Sequence, residues 1–261
     1  MAMQHHNRPD KPERIVEARP PMDASRYMTD NLLAQIAAHE GFYCKVSGDT
    51  KGTQIGFGFN RGSKTCQVAS AVLSRPIVKG SIISHQDAVD LAKHKVGEKI
   101  KQNDEKIIGQ ERFDKLSANA QAAVISVLYN CTDKAATGFS KKVCEKIDLD
   151  QTAGIPALIS SFATMPGTAY HKGLKTRRQD EARLAMTPDG EAFAPSKQVY
   201  DHHAKKNIPA ETIAALIRPE TIADGGNTDD KTDPTKRIIT DAPKTIAEAK
   251  PARKTATHSL T

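Results

Sequence analysis

The sequence predicts an α+β protein with a small antiparallel β-hairpin sheet at one end and a mainly helical lobe around a central buried helix. Residues 120–131 (AQAAVISVLYNC) are apolar almost all round, which is typical of a helix that is buried on every side. Residues 42–46 alternate apolar and polar side chains, as a half-buried strand does, and turn-rich sequence follows them. Helical spacing of apolar residues recurs in most other segments up to residue 217, so about six helices are expected around the central one.

The first helix and the hairpin after it have clear local signals. Thr29 is a predicted N-cap for a helix over Asp30–Glu40, and Gly41 is placed where a helix commonly ends. A second strand is expected over Thr53–Phe59, which carries two glycines. The pattern therefore predicts an antiparallel pair of strands directly after the helix.

Further helices follow from capping residues and apolar spacing. Ser84 and Asp87 form a capping-box pattern at the start of a long helix, and Ser117 is a predicted N-cap of the central one. The remaining predicted helices cover residues 65–73, 138–147, 150–163, 177–186, 196–206 and 210–217. A break is expected at the Gly and Pro of the 150–163 helix. In the 177–186 helix, Leu184 and Met186 are expected to face inward.

Composition divides the chain into four parts. Residues 1–25 and 219–261 are rich in Pro and charged residues and lack periodicity, so we expect a disordered or loosely docked arm and a disordered tail. Residues 26–187 would form the main domain and residues 188–218 a helical extension. The formal net charge of +7 falls within residues 26–219, which favours a polyanionic partner such as an acidic cell-wall polymer. Nucleic acid is not favoured, because no nucleic-acid-binding signature accompanies the charge.

The cysteines and histidines do not predict a metal site or a cofactor. The four cysteines are widely spaced and form no CxxC pair, so buried free thiols and one or two disulfides both stay open: Cys44, Cys66, Cys131 and Cys144. His202 and His203 lack acidic or cysteine partners at ligand spacing, and we expect them to be exposed. No apolar run reaches the roughly 20 residues that span a bilayer, and the N-terminal sequence has no secretory signal.

Two carboxylates stand out as a chemical pair. Glu40 ends a helix, and Asp49 follows nine residues later in the predicted hairpin turn. Hydrolysis of a glycosidic bond requires two carboxyl groups on opposite sides of a cleft. In isolation, however, a carboxylate at a helix end is usually a solvated charge, and Asp beside Gly is ordinary turn chemistry.

Several motifs in the same order support the chemical interpretation. The chain resembles the phage-type lysozymes, glycoside hydrolase family 24, over roughly residues 28–186. The matching stretches are His39-Glu40-Gly41, Asp49-Thr50-Lys51-Gly52, Ile55-Gly56-Phe57-Gly58, Leu116-Ser117, Ala123-Val124 through Tyr129-Asn130, and Gly173 through Glu181 with its Arg177-Arg178 pair.

The resemblance implies a lysozyme-like fold and hydrolysis of the β-1,4 bond between N-acetylmuramic acid and N-acetylglucosamine in peptidoglycan. Glu40 matches the general acid of the family, and Asp49 matches the carboxylate that stays ionised and helps to position water. Asn130 matches a polar residue that lines the sugar cleft, and Phe57 and Asn60 are also expected to bind substrate. No cofactor and no metal are implied. Cleavage is expected to proceed with inversion.

The hairpin departs from the family pattern. A family Thr directly before the Ile-Gly pair holds the attacking water, but here Gln54 occupies that place and Thr53 precedes it. Either side chain is expected to orient the water. The histidine that commonly follows Gly-x-Gly is replaced by Phe59. Arg177 and Arg178 match a helical pair that is chiefly structural, and with Glu181 they are expected to form a salt-bridged helix face.

These patterns lead to a hypothesis and its rivals. The first is a muramidase that is made in the cytoplasm and acts on peptidoglycan in the periplasm or outside the cell, as a phage lysin, a virion-borne enzyme or a delivered antibacterial effector. Its expected partners are glycan strands and an immunity, inhibitor or delivery protein. Neither binding to nucleic acid nor stable insertion into a membrane is expected. The altered hairpin motivates a second hypothesis, a non-catalytic peptidoglycan-binding or structural protein. Whether the products are those of a hydrolase or those of a lytic transglycosylase also stays open.

Overall fold

The computed structural model describes residues 24–46, 53–104, 108–209 and 212–213, all within a compact unit that spans Met1–Glu220. Nearly all of the predicted arm, the predicted tail, most of the predicted helix 210–217 and the predicted turn at residues 47–52 lie outside the described residues. In the described part, the helices and strands are α1 (Asp30–Glu40), α2 (Thr65–Val72), α3 (His85–Asp104), α4 (Gln110–Phe113), α5 (Ala118–Asn130), α6 (Asp133–Asp148), α7 (Ile155–Ser161), α8 (His171–Met186), β1 (Val199–Asp201) and β2 (Lys206–Ile208).

The α5 helix is the centre of the core, as the sequence predicts. Its residues from Ala122 to Tyr129 are all buried, and α1, α3 and α8 pack around it. Ser117 Oγ accepts a hydrogen bond from the Ala120 N–H at 3.2 Å, which confirms the predicted N-cap. Burial of this apolar helix on several sides gives the other helices their common packing surface.

The ends of α1 are also confirmed. Thr29 Oγ1 accepts a hydrogen bond from the Leu32 N–H at 3.2 Å, and the Gly41 N–H donates to the Ala37 carbonyl at 2.9 Å. Gly41 has a φ of 72°, a backbone conformation that a glycine adopts without strain. The chain therefore turns sharply out of the helix directly after Glu40.

The α3 helix begins with the predicted reciprocal cap. The Ser84 N–H donates to Asp87 Oδ2 at 2.8 Å, and the Asp87 N–H donates to Ser84 Oγ at 3.1 Å. Two amides that a helix start leaves unpaired are thereby satisfied. Predictions from capping residues were reliable because both partners are close in sequence.

Three helical predictions need correction. The α6 helix begins at Asp133 rather than near Gly138, because Thr132 supplies the cap, and α8 begins at His171 rather than Arg177, with Gly173 inside it. Met186 is 63% exposed and does not face inward, whereas Leu184 is buried as predicted. The 150–163 helix is reduced to a 3-10 turn (Thr152–Gly154) and α7, with the break at the expected place.

The predicted two-stranded hairpin of residues 42–46 and 53–59 is only partly present. Tyr43 and Gly56 exchange both backbone hydrogen bonds, at 3.0 and 2.9 Å. Beyond that pair the second segment folds back on itself, because Ile55 and Phe59 also exchange backbone hydrogen bonds. Gly56 and Gly58 have φ values of 61° and 67°, which an extended strand cannot contain. The continuous strand predicted over Thr53–Phe59 is therefore wrong.

The helix predicted over residues 196–206 is also wrong, since β1 and β2 form an antiparallel hairpin there. Val199 and Asp201 are buried while Tyr200 is exposed, so burial alternates with the period of a strand. The turn has no glycine or proline signal. Asp201 Oδ1 instead accepts the N–H groups of His203 and Ala204 at 2.8 and 2.9 Å, as an Asx turn does.

The β1 strand joins the segment that follows α1. The Phe42 N–H donates to the Tyr200 carbonyl at 2.8 Å, and the His202 N–H donates to the Phe42 carbonyl at 3.0 Å. On the same edge of that segment, the Ile83 N–H donates a hydrogen bond to the Cys44 carbonyl, and the Val46 N–H donates one to the Ser81 carbonyl. Residues 42–46 thus form the middle of a small set of backbone pairings rather than one arm of a simple hairpin.

Residues 188–208 pack against the helices instead of forming a separate helical extension. Asp189 accepts the Ala118 and Asn119 N–H groups at the start of α5, at 3.0 and 3.1 Å. The Phe193 N–H donates to Asn31 Oδ1 at 2.9 Å. The segment after α8 is thus held to α5 and α1, and β1 pairs beside the end of α1.

The four cysteines, Cys44, Cys66, Cys131 and Cys144, all lie in the described part of the chain, and no disulfide joins them. Only Cys144 is fully buried, and the other three are partly buried. In the described residues, no helix combines the length and the apolar composition that are needed to cross a membrane.

We expect Asp189→Ala to lower the free energy of unfolding by about 1 kcal/mol, because the first amides of α5 lose their carboxylate cap. Glu191→Ala is the matched control, since Glu191 is exposed and its hydrogen bonds to Asn31 and Pro188 use only backbone atoms of Glu191. Urea unfolding of both variants would measure the difference. Equal stabilities would contradict the docking of this segment on α5.

Candidate active site

Glu40 lies at the last position of α1, facing α8. Arg177 Nη1 donates a hydrogen bond to Oε1 of Glu40 at 2.6 Å. The Glu40 side chain is 19% exposed, whereas the Arg177 side chain is 5% exposed. The carboxyl group is therefore fixed from the protein side, and part of the Glu40 side chain stays open to solvent, as a residue that must contact a ligand needs to do.

The other oxygen of Glu40 lies against the backbone of Gly58. A Cβ at Gly58 would overlap Oε2 of Glu40 and lie 2.8 Å from its Cδ. With a φ of 67°, Gly58 also has a conformation that disfavours other residues. The turn after Ile55 thus closes on the carboxyl group because this position has no side chain.

A buried charge network supports Arg177 from behind. Arg177 Nε donates to Oε1 of Glu181 at 3.1 Å, and Ser126 Oγ donates to the same oxygen at 2.7 Å. Arg178 is paired with the second oxygen of Glu181, and all these side chains are buried. Burial opposes the charge of Arg177, but the charges of Glu40 and Glu181 hold its pKa above the ordinary value. The predicted salt bridges within α8 are confirmed, and one of the arginines also reaches Glu40.

Lys95 of α3 brings a second cation to the same place. Its Nζ donates to the Gly58 carbonyl at 3.1 Å and lies 3.7 Å from the centre of the Tyr129 ring. The Tyr129 hydroxyl in turn donates to the Phe57 carbonyl at 2.6 Å. The turn that touches Glu40 is thus held by two side chains. Burial lowers the pKa of Lys95 to about 8, although the nearby Glu40 charge acts in the opposite direction.

His39, the residue before Glu40, is anchored to α8 as well. Its Nε2 lies 2.8 Å from Oδ2 of Asp180, and both side chains are 2% exposed. Burial alone would raise the pKa of Asp180, but hydrogen bonds from His39, Ser196 and Arg183 hold it well below its usual range. The end of α1 is therefore tied to α8 through two neighbouring residues.

Of the three predicted catalytic partners of Glu40, the structure describes only Thr53 and Gln54. Asp49 lies outside the described residues. Thr53 is partly buried and Gln54 is exposed, and no hydrogen bond joins either of them to Glu40 in the described part of the chain. Their segment reaches the site through the Tyr43–Gly56 pairing described above. Their role in orienting water stays a prediction.

The predicted substrate-binding residues have different environments. The Phe57 ring is fully buried, with its centre 5.8 Å from that of Phe42, so this ring belongs to the core and not to the surface of the site. Asn60 Oδ1 accepts the Gly62 N–H at 2.7 Å and shapes a turn. Asn130 is partly buried, and its Oδ1 accepts a hydrogen bond from Arg178 Nη2 at 3.1 Å.

Sequence reasoning missed two residues that surround Glu40. Lys95 lies in a helix with many charged residues, and nothing in its local pattern marks it. Tyr129 was recognised as part of a motif, but not as the group that holds the Phe57 carbonyl. The bond from Arg177 to Glu40 spans 137 residues, and the motif that contains Arg177 was its only signal.

No protein-family model matches the chain, and no curated protein matches its sequence. Within the described residues, no group of three His, Cys, Asp or Glu side chains is arranged to hold a metal ion. His202 and His203 are exposed, as predicted.

We expect Gly58→Ala to be more destabilising than Gly62→Ala by about 1–3 kcal/mol, because the added methyl group overlaps the Glu40 carboxyl. Gly62 is a matched control, since its φ of 58° is similar and a Cβ there would meet nothing within 4 Å. Chemical unfolding of both variants would measure the difference. Equal losses would mean that Gly58 is required only for its backbone conformation.

The lowered pKa of Lys95 predicts that the stability of the fold depends on pH. The folded chain releases this proton near pH 8, whereas the unfolded chain holds it to about pH 10.5, so the unfolded state binds more protons in that interval. The unfolding free energy of the wild type should therefore rise relative to that of Lys95→Met between these pH values. Lys93→Met is the exposed control. A difference that does not change with pH would contradict the lowered pKa.

Proposed function

We propose that the chain is a peptidoglycan muramidase that cleaves the β-1,4 bond between N-acetylmuramic acid and N-acetylglucosamine. The observation that carries the proposal is the Glu40 carboxyl, which is fixed by Arg177 and Gly58 at the end of α1 and still reaches solvent. The resemblance to phage-type lysozymes supports it, because the residue that matches the family's general acid is the one held in this way.

In the proposed mechanism, Glu40 gives a proton to the leaving glycosidic oxygen. The Arg177 bond uses Oε1, and Oε2 lies against Gly58 without a bond to Arg177, so Oε2 is the oxygen proposed to carry the proton. Asp49, ionised before the reaction, stabilises the oxocarbenium-like transition state, helps to position the attacking water and accepts the proton that the water loses. Thr53 or Gln54 orients that water. Attack on the face opposite the leaving group gives inversion.

The charge of the chain fits the proposed substrate. The formal net charge is +7, and Lys95 is one of the cations near Glu40, whereas the charge of Arg177 is balanced by Glu40 and Glu181. Positive surfaces concentrate anionic polymers, and bacterial cell walls carry acidic groups. Association with the wall should therefore weaken as salt concentration rises.

A non-catalytic peptidoglycan-binding protein is the second candidate. The Glu40–Arg177 ion pair favours it, since a carboxylate bonded to a guanidinium is also a common structural element. The two candidates differ in whether reducing ends appear when the chain meets peptidoglycan.

We expect the wild type to lyse permeabilised Gram-negative cells and Glu40→Gln to reduce the rate by about 10²–10⁴-fold, because the proton donor is lost. Asp49→Asn should also cause a large loss. Glu191→Gln, the same chemical change at an exposed position, should leave the rate unchanged. Loss of turbidity measures lysis, and mass spectrometry of the released muropeptides distinguishes reducing ends from the anhydro ends of a lytic transglycosylase.

The outcomes separate the candidates. No lysis and no new ends with the wild type would exclude the enzyme. Lysis that Glu40→Gln leaves unchanged would exclude Glu40 as the acid while retaining an enzyme. Binding to sacculi without cleavage would support the non-catalytic protein.

A further inference from the structure

Three aromatic rings share the outward face of the backbone pairings beside Glu40. The Phe42 backbone forms hydrogen bonds with the Tyr200 carbonyl and the His202 N–H. The side chains of Phe42 and Asp201 are buried and point inward. The residues next to Phe42 and Asp201 in sequence point to the opposite side, because side chains alternate along a strand. Tyr200 is 41% exposed, His202 is exposed and Tyr43 is partly buried. We call Tyr43, Tyr200 and His202 the aromatic face.

The rings of the aromatic face have a defined geometry. The Tyr43 and His202 rings are stacked, with their centres 3.8 Å apart and their planes 10° from parallel. The Tyr200 ring stands perpendicular to His202, with 5.0 Å between the ring centres. Two stacked rings and one upright ring form a corner. Such contacts restrain each ring, so little ordering would be required when a ligand binds.

The aromatic face lies next to Glu40. Gly41, the following residue, is covered by His202, since a Cβ on Gly41 would lie 2.7 Å from Nε2 of His202. Burial, and after it the charge of Glu40, raises the pKa of the Tyr43 hydroxyl. The His202 ring is thus packed over the end of α1, and Tyr43 is close enough to sense the Glu40 charge.

We propose that Tyr43, Tyr200 and His202 form a saccharide subsite that holds a pyranose ring of the glycan strand beside Glu40. The proposal rests on the muramidase function, and it adds a place where the strand is held next to the bond that is cut. A pyranose ring has an apolar face of C–H groups and a polar rim of hydroxyl groups. Aromatic rings with polar tips match both parts.

The charge state of the aromatic face favours a sugar over a charged ligand. Burial lowers the pKa of His202, although the Asp201 charge acts in the opposite direction, so burial favours the neutral form of the ring. The Tyr43 hydroxyl, with its raised pKa, is neutral at pH 7. The face therefore offers ring surfaces and hydrogen-bonding groups without a formal charge, whereas the positive charge of the site is on Arg177 and Lys95.

The experiment compares full-length Tyr200→Ala, Tyr200→Phe and Tyr170→Ala with the wild type on purified sacculi. Tyr200→Ala should raise KM by about three- to tenfold with little change in kcat, because one ring contact is lost. Tyr200→Phe keeps the ring and loses only the hydroxyl, so its KM should lie between that of the wild type and that of Tyr200→Ala. Tyr170, at the start of α8, is 72% exposed and makes no ring contact with the aromatic face in the described part of the chain, so it serves as the control. Thermal unfolding of each variant shows whether the fold is retained.

A second measurement does not depend on catalysis. Co-sedimentation with sacculi in the Glu40→Gln background reads binding directly, and Tyr200→Ala should weaken it by about the same factor. Unchanged KM and unchanged binding in folded Tyr200→Ala would overturn the subsite and leave the muramidase intact. No reducing ends from the wild type, together with binding that needs the Tyr200 ring, would overturn the muramidase and retain a glycan-binding face. Absence of binding in every variant would overturn both.

Discussion

The buried guanidinium of Arg177 is the interaction on which the rest of the site depends. It bonds Glu40 of α1 and Glu181 of its own helix, and Ser126 of α5 shares the Glu181 oxygen. Charges removed from water are costly unless they are paired and hydrogen-bonded. The network of two arginines and two glutamates pairs these charges with no net charge, although Nη2 of Arg177 is buried without a hydrogen-bond partner. It links α1, α5 and α8, and the Glu40 carboxyl is held where these three helices meet.

Local signals predicted much of the helical part of this fold. Thr29, Ser84 and Ser117 act on amides within three residues of themselves, so their role can be recognised without knowledge of the rest of the chain. The central helix was equally clear, because an apolar segment on all sides has few alternatives to the core. Starts that depend on weaker signals, such as those of α6 and α8, were misplaced by several residues.

The site was predictable only in part. Glu40 could be identified from its motif, but the groups that hold it come from α3, the Gly58 turn and α8, and no local pattern reports such contacts. The hairpin of β1 and β2 was missed for a related reason. Its turn is made by the Asp201 carboxylate and a left-handed Lys205, rather than by glycine or proline. Phe57 was expected to bind substrate, yet its ring is in the core, since sequence does not show which side of a turn a side chain occupies.

The distance in sequence between Glu40 and Arg177 also affects the order in which the molecule is completed. A ribosome adds residues one after another, and a nascent chain that has not reached residue 177 carries the helix-end carboxylate without its guanidinium partner. The backbone partners of Phe42, at residues 200 and 202, emerge later still. Contacts between residues so far apart form late in folding. A truncated translation product therefore contains Glu40 but lacks the groups that hold its carboxyl in place.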